Sequence, residues 1–247
     1  MRVAFISDLH LSADDGATDA RFDHFLLREA RTVDRLYVLG DLLHLWLGDA
    51  LLATDHYAQS VCQRFASLVA TGTKLYLMRG NRDFMIGDAF AAACRAELLP
   101  AETVVTLGRH RVLLMHGDEL CTQDLSYQRA RRVLRSPMFH TLADHLPVSL
   151  RRAIAARLRR ASDAHKASTS MTMMDADEGA IDRAMSRHTV DTLIHGHTHR
   201  PATHTLPDGR RRIVLTDWQQ DHGFLLWDGT RFDTRPFSSG DGNVQSL

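Results

Sequence analysis

Lysine is almost missing from this chain: Lys74 and Lys166 are the only two in a sequence with 30 Lys and Arg residues among 247. Acidic residues also number 30, so no excess charge of either sign argues for a nucleic-acid partner. Three cysteines, Cys62, Cys94 and Cys121, are odd in number and widely spaced, which suits free thiols in a reducing compartment rather than a disulfide framework. No run reaches the roughly 18 apolar residues that span a bilayer. No basic segment with a cleavage site opens the chain, so no signal peptide is expected. Internal repeats and low-complexity tracts are missing too. What is present is ordinary for a soluble globular protein, with 44% hydrophobic and 24% charged residues. The length allows one large domain, or a domain with an insertion. A cytoplasmic or peripheral protein is expected.

Short apolar runs alternate with amphipathic segments over the first hundred residues. Arg2 to Ser7, Arg35 to Leu39 and Lys74 to Met78 read as buried strands. Between them, residues 19–31 carry Phe22, Phe25, Leu26 and Ala30 at helical spacing, and 55–71 carry Val61, Phe65, Leu68 and Val69 on one face. Small apolar residues give 87–96 a helical pattern. This rhythm predicts an α/β domain with helices packed on a central sheet, where ligands gather beyond the carboxyl ends of the strands. A hairpin is expected from Val104–Leu107 and Arg111–Met115 about Gly108, and another over Thr203–Thr216 about Asp208-Gly209. Residues 223–232 repeat that pattern, and the Gly/Ser-rich tail from Ser238 is expected to fray.

Polar residues stand at strand ends, where a site would be built. Asp8 and His10 follow the first strand, and two-residue spacing in extended chain would put both on one side. Asp41 follows the second, Asn81 the third, and His116 the strand that ends at Met115. His195-Gly-His-Thr-His199 follows the apolar run Val190 to Ile194, with Gly196 where the chain must turn closely around something. Two carboxylates, an amide oxygen and four or more imidazoles are too many for one tetrahedral zinc. They suit two divalent metals sharing a carboxylate, and the donors, lacking thiolate, fit Mn, Fe or Zn. Such a pair favours in-line attack of hydroxide on a phosphate ester or anhydride.

Asp8-x-His10, Gly40-Asp41, Gly80-Asn81-x-Asp83, His116 and Gly196-His-Thr-His199, in this order, resemble the calcineurin-like metallophosphoesterase superfamily. The resemblance implies an α/β fold, a layered sandwich with helices on central β-sheets, carrying a helical lid insertion. It implies one metal held by Asp8, His10, Asp41 and His199, and another by Asp41, Asn81, His116 and His197, with Asp41 bridging. His195 is left outside as a supporting residue. A narrower similarity rests on Ser7-Asp-Leu-His-Leu11, Leu39-Gly-Asp-Leu42, Trp46, Gly80-Asn-Arg-Asp-Phe84, Met115-His-Gly-Asp118, Cys121 and Ile194-His-Gly-His-Thr-His-Arg-Pro201. It is to the branch that hydrolyses UDP-2,3-diacylglucosamine in lipid A synthesis of Gram-negative bacteria. That implies Mn2+ as the favoured metal, with UMP and 2,3-diacylglucosamine 1-phosphate as products. Asp8, His10, Asp41, Asn81, Arg82 and His116 become the catalytic set. Arg82 cannot act as an acid near neutral pH but can clamp a phosphate.

Residues 122–186 break the alternation and read as helices. Asp124 caps one that carries Tyr127, Val133 and Leu134; others are expected at about 148–160 and 175–187. Nine arginines and Lys166 lie between 129 and 166, against Asp144 and Asp163 alone. The division expected is a core at 1–121 and 187–247 with the lid between. By the resemblance the lid binds the glucosamine and its two acyl chains, and the substrate contacts are Asn81, Arg82, Asp124, Ser162, Lys166, Thr169 and His197. The branch often carries Asn and Lys where this chain has Lys166 and Thr169. The substrate places the protein on the cytoplasmic face of the inner membrane, which an arginine-rich amphipathic lid suits. No nucleic acid and no obligate protein partner are expected. Two other readings are a nuclease or cyclic-nucleotide phosphodiesterase of the same superfamily, and a scaffold that kept the fold without catalysis. The remaining histidines, among them His24, His44, His56, His110, His188 and His204, read as surface or packing residues, and Trp46 and Trp218 as core.

Overall fold

A computed structural model describes residues 1–136, 138–139, 146–147, 150, 153–154, 157, 175–218 and 223–237. The first sheet is built on β1 (Val3–Ile6), β2 (Arg35–Leu39) and β3 (Lys74–Met78), all parallel, extended at one edge by the short β4 (Glu97–Leu98). At the other edge β10 (Gly223–Trp227) and β11 (Phe232–Pro236) join antiparallel, giving the order β11-β10-β1-β2-β3-β4. The second sheet has the order β5-β6-β7-β9-β8, from β5 (Glu102–Leu107), β6 (His110–Met115), β7 (Thr192–His195), β8 (Ala202–Thr205) and β9 (Arg211–Val214). Both sequence-read hairpins are present, β5–β6 and β8–β9.

Alternate residues of each central strand enter different cores. Val3, Phe5, Tyr37, Leu39 and Met78 meet Val112, Leu114, Ile194 and Ile213 of the second sheet, so the two sheets pack face to face. Ala4, Ile6, Leu36, Val38, Leu75 and Leu77 point to the other side, under α1 (Gly16–Arg28), α2 (His56–Val69) and α3 (Asp88–Ala93). Leu113, Met115 and Leu193 turn outward to Ile181, Ala184 and Met185 of α5 (Glu178–His188). Strands covered on both faces are apolar throughout, which is why they read as continuous runs. The alternation alone implies one central sheet; the structure has two in a four-layer sandwich, the layered architecture that the family resemblance implies. Trp46 and Trp218 are buried in the first outer core, as expected.

Aspartates start the longer helices. Asp15, Asp55, Asp124 and Asp177 accept from the backbone N–H three residues on, in α1, α2, α4 (Leu125–Leu134) and α5. Each such cap contributes about 1 kcal/mol. The Asp15 cap starts α1 earlier than the sequence spacing suggested. Of the helix expected at 148–160, Leu150, Ala153, Ile154 and Arg157 are described and are helical; its other residues and the tail from Ser238 lie outside the described residues. Among the described residues, no helix is long and apolar enough to cross a membrane.

Candidate active site

The carboxyl ends of β1, β2, β3, β6 and β7 open at one pole, and the loops that leave them continue the pairing of the strands. Asp8 N–H donates to Gly40 O (3.1 Å), His10 N–H to Asp41 O (2.9 Å) and Gly196 N–H to His116 O (2.9 Å). Asp83, fully buried, accepts from the backbone N–H groups of Gly80 (2.7 Å), Leu42 (2.8 Å), Asp41 (3.3 Å) and Leu43 (3.4 Å). It ties the β2 loop to the β3 loop. Burial and the Asp41 charge push its carboxyl up to about 6, while those donors pull the other way.

Asp8 and His10 do reach the same centre, but not by alternation along an extended chain. Both have positive φ, as do Asp41, His197 and His199. Left-handed backbone at non-glycine residues costs roughly 1–2 kcal/mol each and persists where surrounding contacts over-determine it. Gly196, by contrast, is not left-handed. A Cβ there would lie 2.0 Å from Ser7 Oγ and 2.2 Å from Asp8 Oδ2, so the glycine is required by close approach.

Two histidines are fixed by acceptors behind them. His116 Nδ1–H donates to Leu39 O (2.9 Å), which leaves Nε2 facing Asn81 Oδ1 at 2.9 Å and Asp41 Oδ1 at 3.6 Å. His199 Nδ1–H donates to buried Asp217 (3.1 Å), and its Nε2 faces Asp8 Oδ1 at 3.4 Å and His10 Nε2 at 3.5 Å. In each case lone pairs converge on lone pairs, an arrangement that calls for a cation between them. Asp8 Oδ1 is buried without a hydrogen bond, while its Oδ2 is taken by Ser7 Oγ (2.5 Å) and His197 N–H (2.9 Å). Asp41 divides its oxygens, Oδ2 lying 3.8 Å from His10 Nδ1 and Oδ1 on the His116 side. Burial would lower the His116 pKa, but the charges of Asp41, Asp8 and Asp118 outweigh it and raise it above the usual imidazole value.

Asp8, His10 and His199 form one group able to hold a metal, and Asp8, Asp41 and His116 another. Asn81 Oδ1 adds to the second, lying 2.8 Å from His197 Nδ1. Burial and neighbouring His116 push His197 down to about 4, so it is neutral, as a ligand must be. The donor set fits hard-to-borderline divalent cations. All seven sequence-read candidate ligands are brought together here, and Arg82 is buried beside them, its backbone N–H on Asp41 Oδ1 at 2.8 Å.

His195 does not join them. It is fully buried, its Nδ1–H donates to Gly196 O (2.8 Å), and its Nε2 accepts from Arg212 Nε (2.9 Å). Burial and the adjacent guanidinium push it down to about 3. Asp124, expected at the substrate, spends Oδ1 on capping α4 through Tyr127 N–H (2.9 Å). Ser162, Lys166 and Thr169 lie outside the described residues.

Sequence reading passed over Asp217 and Asp118. The first sits just past β9, at a strand end like the ligands, and that position was the available signal. The second, two residues after His116, receives Arg131 Nε (2.7 Å), Tyr127 OH (2.9 Å) and Arg135 Nη2 (3.0 Å) from α4. Despite burial, Arg135, His116 and Arg131 hold it well below the usual carboxylate range.

Residues 1–201 match the family model of the calcineurin-like phosphoesterases. UDP-2,3-diacylglucosamine hydrolases of Pseudomonas paraeruginosa and Pseudomonas aeruginosa are each 43% identical over 240 residues, covering 96% of this chain and 99% of theirs. Among solved structures, the phosphoesterase Yfce from E. coli aligns with a TM-score of 0.50 at 16% identity, over 96% of this chain and 94% of its own. Vacuolar Protein Sorting 29 from Cryptosporidium parvum aligns at 0.50 and 14% identity, over 95% of each. These two share the fold.

Proposed function

The chain belongs to the calcineurin-like phosphoesterases and, within them, to the UDP-2,3-diacylglucosamine hydrolases; from this we propose how its residues cleave that lipid nucleotide. The family uses divalent metals, and Asp8, His10, Asp41 and His199 would hold one ion while Asp41, Asn81, His116 and His197 hold a second. Two Mn2+ ions would lower the pKa of water at the centre and stabilise charge on phosphoryl oxygens. The observation that carries the reading is the pair of histidines, His116 and His199, whose remaining lone pairs are aimed at carboxylate oxygens. A buried carboxylate or carbonyl behind a ligand histidine sets its tautomer and raises its basicity.

The reaction is hydrolysis at the α-phosphorus. An oxygen from water bonds to that phosphorus as the bond to the bridging oxygen breaks, giving UMP and 2,3-diacylglucosamine 1-phosphate, a step of lipid A synthesis. Arg82 clamps a phosphate, and its permanent charge excludes it as the proton donor. The leaving sugar phosphate is a weak base, so the step needs little protonation. Asn81 and His197 stand at both the metal and the substrate, and Asp124, Ser162, Lys166 and Thr169 are proposed contacts to the glucosamine phosphate.

The lid is proposed over 122–186, with α5 as the return helix packed on the core. On α4, Leu125 is 64% and Val133 62% exposed, and arginines flank them. Apolar side chains among cations suit acyl chains and the anionic inner-membrane surface. Incubation with Mn2+ and UDP-2,3-diacylglucosamine should release UMP. No release, or undiminished release by Asp41→Ala, would overturn the reading.

A further inference from the structure

His195 is conspicuous because it opens the site's sequence motif yet faces away from the proposed ligands. Its imidazole lies in the gap between two ligand loops. A Cβ on Gly117, the residue after His116, would come within 2.6 Å of His195 Nδ1. Gly117 has a φ of +114°, so only glycine lets the His116 loop pass this close. On the other side His195 Nδ1–H donates to Gly196 O, the peptide that leads to His197.

The far edge of the ring is set by a charge. Arg212, on β9, donates Nε–H to His195 Nε2 at 2.9 Å, and a guanidinium can only donate. Nε2 must therefore carry the lone pair and Nδ1 the proton. Arg212 is itself 8% exposed and reaches Asp175 with Nη2 at 3.5 Å. The other oxygen of Asp175 accepts from Arg200 Nη1 at 2.5 Å. Arg200 directly follows His199, so this relay grips the ligand loop at both ends: His195 through Arg212, and Arg200 through Asp175.

We propose that His195 and Arg212 are positioning residues, a neutral imidazole wedge held in one tautomer by a buried guanidinium, which sets the spacing of the His116 and His197 loops. The inference rests on the reading of this pole as a dinuclear metal centre. It goes beyond that reading in assigning work to two residues that touch neither metal nor substrate. Changing the wedge should alter metal affinity and, through His197, one proposed substrate contact, while leaving Arg82 in place.

His195→Phe keeps a ring and removes both hydrogen bonds, His195→Gln retains an acceptor for Arg212, and His195→Asn retains a donor for Gly196 O. Titration with Mn2+ alone, followed by calorimetry, should show affinity in His195→Phe weakened about 10- to 100-fold, the range for residues that support metal ligands from outside. His195→Gln and His195→Asn should each recover part of it. UMP release by His195→Phe should return toward the wild-type rate as Mn2+ is raised. Should His195→Phe fail to fold, Arg212→Lys and His195→Gln, with their melting temperatures, give the same comparison. A folded His195→Phe that binds Mn2+ as tightly as wild type would overturn the inference alone. A wild-type chain that binds no divalent metal would remove the reading beneath it.

Discussion

The ligand loops and helix α4 meet at Asp118, but they are held by different forces. The loops are anchored by backbone hydrogen bonds, by Asp83 with four N–H donors, and by a core on either side. That anchorage is strong enough to keep five of the seven proposed ligands in left-handed backbone. Helix α4 has no buried residue. It is held mainly by Arg131 and its C-cap Arg135 on Asp118 and Glu119, by Tyr127 on Asp118, by Gln128 on two backbone carbonyls and by Arg135 Nη2 on Gly80 O at 3.2 Å, with half-buried Leu134 against the first outer core. Packing and backbone bonding give fixed geometry, which a metal centre needs. Charge contacts at a helix with an exposed apolar face give attachment without occupying that face, which the proposed lid over acyl chains would need.

The largest expected effect lies on the loop side. Asp41→Asn should lower UMP release on the order of 10²–10³-fold, as removal of one preorganised charged group at a reacting centre does elsewhere. Chelation of the wild type should abolish release, and added Mn2+ should restore it. Retained activity after exhaustive chelation would contradict the metal centre. Next, Asp217→Asn removes the carboxylate behind His199 and should weaken Mn2+ binding about 10- to 100-fold, measured by titration calorimetry. Unchanged affinity there would mean that His199 is oriented by something else.

On the helix side the effects are smaller and fall on different readouts. Replacing both Arg131 and Arg135 with Met leaves buried Asp118 without its guanidinium partners. This should cost about 3–5 kcal/mol of stability, seen in thermal unfolding, with faster hydrogen exchange in α4. Hydrolysis of the acylated substrate should fall more than that of a small diester such as bis-p-nitrophenyl phosphate; equal losses would show that α4 supports the centre rather than the lipid. Smallest of all, Leu125→Ser with Val133→Ser should change stability by no more than about 0.5 kcal/mol each. The same pair should reduce co-sedimentation with anionic liposomes, and high salt should weaken wild-type binding. Binding by the double variant equal to wild type would move the membrane contact elsewhere.

Much of this could be read from residue order. Strands apolar on both faces, the Asp124 cap and turns at Gly108 and Asp208-Gly209 are local consequences of composition and spacing, so the α/β layering was legible. So was the meeting of the seven proposed ligands at one pole, because each stands at a strand end, and strand ends in such sheets meet. His195 could be set apart from His197 and His199 only by resemblance, since three imidazoles at alternate positions look equivalent in the chain.

Tertiary structure decided what depends on partners remote in sequence. Two sheets pack face to face, as the family resemblance implies and the alternation alone does not, because a strand buried on both sides does not declare what covers each side. Asp8 and His10 share a centre through left-handed backbone, a conformation that side-chain alternation cannot forecast. Asp217 became the support of His199 across 18 residues, and Arg212 the partner of His195 across 17. Their identities are ordinary, an aspartate past one strand and an arginine within it. Their roles came from proximity, which long-range packing creates and sequence spacing does not encode.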